Sequence, residues 1–110
     1  MKDNFNYMKK LFCEFIGTTT IVLVSCFSFK AYEFNKISSV GLGMCNGLVL
    51  AILAYAFYSK SESHFNPAIS LTYLIVERKP VKLCLLYILI QLIASIFASF
   101  LVLLLTLPEF

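Results

Sequence analysis

Residues 66–80 read Asn66-Pro67-Ala68-Ile69-Ser70-Leu71-Thr72-Tyr73-Leu74-Ile75-Val76-Glu77-Arg78-Lys79-Pro80, and the fold turns on what this stretch can be. Asn is a favoured helix N-cap and Pro is favoured at the first helical position, so Asn66-Pro67 marks a helix start. The apolar run stops at Glu77-Arg78-Lys79, and Pro80 separates it from the next segment. A helix over 66–76 is about 16 Å long at 1.5 Å per residue, roughly half of a hydrocarbon core of about 30 Å. Such a half-length element is tolerated in a bilayer only where it is buried in protein or lines a wet cavity.

The segments around it supply the bilayer. Three runs, 11–29, 40–58 and 81–107, are long and apolar enough to span, since a crossing takes roughly 20 residues. The 110-residue chain is 60% hydrophobic and 15% aromatic but only 14% charged, with a mean hydropathy of +0.87. A soluble domain carries roughly a quarter charged residues, so too few polar groups remain here to cover a surface in water. The first run is too long for a signal-peptide core, and no small-residue cleavage site follows it, which makes it a retained helix. The expected fold is therefore all-α and transmembrane, with three spanning helices and one re-entrant half-helix in a single unit over 1–110.

Charge and cysteine content exclude other classes. The net charge of +3 comes with no continuous basic stripe, so nucleic-acid binding is not expected. Cys13, Cys26, Cys45 and Cys84 lie in apolar runs without metal-ligand spacing, which argues against a zinc site or a disulfide framework. A lone His64 is no metal centre. No nucleophile with its base, paired carboxylates or phosphate loop appears, so neither catalytic residues nor a cofactor are expected. Lys2, Lys9, Lys10, Lys60, Arg78, Lys79 and Lys82 fall on the N-terminal side of the membrane and only Lys30 and Lys36 on the other. The positive-inside rule then predicts a multi-pass integral membrane protein with a cytoplasmic N-terminus. Small residues, among them Gly17 in the first run and Gly43 and Gly47 in the second, predict close helix packing in lipid.

These residues together resemble the aquaporins and glycerol facilitators, the major intrinsic protein family. His64-Phe65-Asn66-Pro67-Ala68-Ile69-Ser70 is similar to the family's first Asn-Pro-Ala box, and Glu14-Phe15-Ile16-Gly17-Thr18 to its first-helix motif. Gly47-Leu48 with Ala54-Tyr55-Ala56 looks like its second helix, and Tyr87 with Gln91 like the Tyr-x-x-x-Gln of its third. A capping Asn66 accepts backbone N–H bonds through its side-chain oxygen, leaving two amide donors outward at the positive end of a half-helix dipole. The resemblance implies that Asn66, Pro67 and Ala68 form a pore box whose amide orients a passing neutral oxygen and helps exclude ions. It further implies that Glu14 and Gln91 brace the re-entrant loop, and that the backbone carbonyls of Ser63 and His64 line the cytoplasmic vestibule. On chemistry alone, Glu14 has two possible positions, facing the bundle interior or snorkelling to the interface.

The chain also departs from the pattern. The selectivity-filter position before Gly47, an aromatic ring in the family, is Asn46, which widens the filter or makes it more polar. Glu62 stands at a glycine position, and Glu77-Arg78-Lys79 replaces the glycine pair after the half-helix. Family members are two inverted repeats of such a unit, and this chain carries one. The expected function is passive passage of water or a small neutral solute such as glycerol across the bilayer. That function requires a complementary half or an inverted second copy, with homo-oligomer assembly a further possibility. The alternative is a non-conducting aquaporin-like protein with an assembly or regulatory role.

Overall fold

The computed structural model describes residues 2–107, without the side chain of residue 3, and contains four helices. They are α1 (Lys2–Glu33), α2 (Ser39–Ser61), α3 (Pro67–Val76) and α4 (Val81–Thr106). Three are long and apolar enough to cross a membrane, and α3 is the short one. No strand occurs among the described residues.

Local chemistry sets the helix ends. α1 outruns the expected 11–29 in both directions, because a helix once nucleated extends at little cost into residues that do not oppose it. It stops at Asn35, in the left-handed region at φ 57°, where the Lys36 N–H reaches back to the Ala31 carbonyl at 2.8 Å. Asn tolerates that conformation better than most residues, so this is an αL helix ending. Ser38 caps α2, its Oγ accepting from the Gly41 N–H at 3.0 Å. Three non-glycine residues beyond α2, Glu62, Ser63 and Phe65, also hold positive φ. The hairpin from α2 into α3 is thus strained along most of its length.

α1 lies between α2 and α4, and α3 packs against α4. One stripe of α4, Cys84, Tyr87, Gln91, Ala94 and Ala98, is buried. Its alternating spacing of three and four is that of a helix-packing seam. Phe15 and Phe97 meet across the α1–α4 contact at 5.5 Å between ring centroids. The α1–α2 contact carries a polar clasp. Ser25 Oγ donates to Asn46 Oδ1 at 2.6 Å, and Asn46 Nδ2 donates to Ser28 Oγ at 3.3 Å and to the Leu42 carbonyl at 2.9 Å.

That clasp corrects one sequence expectation. A Cβ built at Gly43 or Gly47 would meet nothing within 4 Å, so among the described residues neither glycine sits at a close helix contact. At about 100° per residue they lie roughly 60–100° around α2 from Asn46, which faces α1. Gly17 does sit at a close approach, where an added Cβ would overlap the Phe65 ring.

The interior is more polar than the surface. Among the described residues nine buried side chains are polar or charged and six are apolar, while Phe, Leu, Ile and Val side chains crowd the exposed faces of the helices. A water-soluble fold has the opposite arrangement, so the surrounding solvent is hydrocarbon.

Candidate functional site

The largest fully buried side chains are Gln91, Glu14, Ser61 and Ser70, one from each helix, and they meet at one point. Glu14 is its centre. Oε2 accepts from Ser61 Oγ at 2.7 Å and from the His64 backbone N–H at 3.2 Å. Oε1 accepts from the Phe65 backbone N–H at 2.8 Å and from Gln91 Nε2 at 2.9 Å. A carboxylate with all four acceptor positions filled is inexpensive to bury, and two of its donors are N–H groups of the strained hairpin. Of the two positions open on sequence grounds, Glu14 occupies the interior one, at 0% exposure.

A second layer of bonds holds the hairpin from the α4 side. Gln91 Nε2 also donates to Ser70 Oγ at 3.1 Å, and Tyr87 OH donates to the Ser61 carbonyl at 2.7 Å. Ser63 Oγ donates to the Ala54 carbonyl at 2.9 Å. Phe65 drops its ring onto Gly17 and stands edge-on to Phe57 at 6.3 Å. The ring acts as a peg, and only a residue without Cβ at 17 leaves room for it.

With the hairpin fixed, Asn66 lies at the N-cap of α3 in extended geometry, φ −152° and ψ 129°. Its Oδ1 accepts from the Ala68 N–H at 2.9 Å, and its carbonyl accepts from the Ser70 N–H at 3.1 Å. Among the described residues nothing accepts from Asn66 Nδ2, and the side chain is exposed. Two amide donors therefore point outward at the positive end of a ten-residue helix. The carbonyls of Ser63, His64 and Phe65 likewise accept no hydrogen bond from a described residue. Unengaged donors at Asn66 thus stand directly after a run of unengaged acceptors along the hairpin.

The His64 side chain is buried. Its ring stacks on Tyr73 at 4.3 Å between centroids and stands edge-on to Tyr87 at 4.9 Å. Nδ1 lies 2.9 Å from Ser70 Oγ, which also accepts from Gln91 Nε2. Nε2 faces Glu62 Oε2 at 3.8 Å. Burial pushes the imidazole below its ordinary range, against the pull of Glu14 and Glu62. Glu62 itself, left-handed at φ 69°, takes Lys79 Nζ at 3.0 Å, and that hydrogen-bonded carboxylate holds the lysine above its usual range. Glu77 is the second acid near Lys79, at 3.7 Å.

The structure thus brings Glu14, Gln91, Gly17, Ser63, His64, Asn66, Pro67 and Ala68 into one neighbourhood. Asn46 stands apart in the α1–α2 clasp, and Gly43 and Gly47 lie on the open face of α2. Sequence reading did not find Ser61, Ser70 or the Phe65 peg. Ser70 follows Asn66 by four residues, one helical turn, which was the available signal; nothing marks Ser61. Among the described residues no cluster of side chains is placed to hold a metal ion.

Comparison with known proteins supplies the context. The family model described as Major intrinsic protein matches residues 1–109. Nodulin-26 of Glycine max is 34% identical over 95 residues, 84% of this chain and 35% of that protein. The glycerol uptake facilitator protein-like 6 of Lactiplantibacillus plantarum is 34% identical over 92 residues, 84% of this chain and 41% of its own length. Aquaporin Z of Brucella melitensis biotype 1 is 34% identical over 95 residues, 84% and 42% respectively. The chain spans about a third of the length of the first curated relatives it matches.

Proposed function

Because the chain belongs to the major intrinsic protein family, we propose that it is one half of a membrane channel for water or a small neutral solute such as glycerol. One observation carries this reading: Asn66, its oxygen spent on capping α3 and its Nδ2 unengaged, stands exposed at the end of a half-length helix. A fixed donor pair at a positive dipole end orients a neutral oxygen and repels cations. Ser63 and His64 offer their carbonyls on the approach, and Glu14 and Gln91 hold the hairpin so that neither donor nor acceptors drift.

A ten-residue α3, about 15 Å long, reaches only half of the roughly 30 Å to be crossed. The path is completed by a complementary half, carried on a separate polypeptide or on a continuation of this one. In this reading Gly43 and Gly47 pack against a helix of that half, on the face that α1 leaves open. The N-terminus is cytoplasmic, as the distribution of seven and two basic residues indicates, and the same imbalance disfavours an inverted second copy as the partner. One observation favours a second reading, an aquaporin-like subunit that does not conduct: the amide of Asn46 is consumed by Ser25, Ser28 and Leu42 rather than offered to a filter.

Osmotic swelling of proteoliposomes separates the two. The channel reading expects water or glycerol permeability above that of empty vesicles when this chain is co-reconstituted with a complementary half, and a loss of it in Asn66→Asp. Permeability no higher than in empty vesicles overturns the channel reading, and undiminished flux in Asn66→Asp removes the amide from the path.

A further inference from the structure

Where the first turns of α1 pass the last turn of α2, the surface opens into a groove of about 570 Å³. Lys9, Lys10 and Lys60 surround it, Asn6 adds a polar edge, and Phe12 and Cys13 form its floor. Lys10 precedes Glu14 by four positions, about 6 Å of helix rise, and Glu14 is bonded to Ser61, the neighbour of Lys60, so both lysines line the same groove near the ends of their helices. Among the described side chains no carboxylate lines the groove. Among the described residues Lys10 and Lys60 have no ion pair or hydrogen bond, while Lys9 rests over the Phe5 ring at 4.6 Å. Among the described side chains, the two nearest carboxylates in sequence are committed elsewhere, Glu14 to four donors and Glu62 to Lys79.

We propose that this groove is a binding site for one anionic phospholipid, its phosphate held by Lys9, Lys10 and Lys60 and an acyl chain lying along Phe12. Both ends of the ligand are matched. The groove sits where an apolar span meets basic residues, the level at which a lipid changes from headgroup to hydrocarbon. Phe12 at 66% and Ile16 at 37% exposure continue the floor as an apolar ridge one turn deeper. A basic pocket between membrane helices recognises an anionic headgroup, each lysine near the surface contributing favourably, whereas a zwitterionic head brings its own cation and gains little. In the N-inside orientation this lipid belongs to the cytoplasmic leaflet. The inference depends on the chain lying in a membrane and not on conduction, so failure of the channel reading leaves it standing.

The test is native mass spectrometry of the full chain in detergent, titrated with palmitoyl-oleoyl phosphatidylglycerol or the matching phosphatidylcholine. Wild type should retain one phosphatidylglycerol per chain with at least tenfold preference, and K9Q/K10Q/K60Q should lose that preference. K2Q/K36Q/K82Q removes the same charge outside the groove and should behave as wild type. If the first variant loses its helicity, K10Q and K60Q singly carry the same expectation, each lowering the preference at least threefold. Equal retention of the two lipids, an equal loss in the control variant, unchanged preference in the single variants, or displacement by millimolar inorganic phosphate would each overturn the proposal.

Discussion

At the residue scale the structure rests on one carboxylate. Glu14→Ala leaves the N–H groups of His64 and Phe65, the Ser61 hydroxyl and the Gln91 amide without their acceptor in a buried site. We expect a loss of about 3–5 kcal/mol, read as earlier loss of helicity on heating in detergent, because stranding donors of a charged acceptor is among the costliest single changes. Glu14→Gln should cost nearly as much, since its NH₂ would oppose another donor. His64 gives the pH dependence. Its folded pKa lies below the ordinary value of 6.5, so the unfolded chain binds the proton first as pH falls. The stability it contributes is therefore complete above about 6.5, declines as pH falls from there toward the folded value, and levels off below it. Thermal melts between pH 8 and 5 should show this decline in wild type and a flatter profile in His64→Gln.

At the element scale, the closest fit is between the α2–α3 hairpin and α1. Gly17→Ala drives a methyl into the Phe65 ring, and we expect about 1–3 kcal/mol of destabilisation. Phe65→Leu in the same chain should recover part of it, which a double-mutant cycle of melting free energies measures. The helices themselves were readable because each depends on local rules: apolar length for the spans, Asn-Pro for the start of α3, Pro80 for the start of α4. Glu14 and Gln91 were readable through motif resemblance, with partners that local rules do not supply. Ser61, Ser70 and Phe65 were not legible, since a serine becomes a buried donor only through contacts tens of residues away, and a phenylalanine in an apolar chain gives no sign of being a peg. Gly43 and Gly47 show the same limit in reverse, since among the described residues no helix meets them. Four-residue spacing identifies a helix face able to approach another closely, and says nothing about which helix takes it.

At the scale of the whole molecule, the polar seam inside and the apolar surface outside define a protein whose parts are held by hydrogen bonds more than by burial of hydrocarbon, as lipid demands. The proposed orientation rests on charge. A reporter that is active only outside the cytoplasm should be silent when inserted in residues 77–80 and active in residues 34–37, and the opposite pattern would reverse the assigned topology.

The distance along the chain between the partners of the central carboxylate bears on how the protein is made. Glu14 and Gln91 are 77 residues apart, and its nearest side-chain partner, Ser61, is 47 away. At a synthesis rate of roughly 5–20 residues per second, Glu14 is made about 2–9 seconds before Ser61 and about 4–15 seconds before Gln91. During that interval only water at the bilayer boundary can meet its charge. Its place near one end of the first span keeps that water within reach, so the order of translation constrains where along α1 such a carboxylate can be carried.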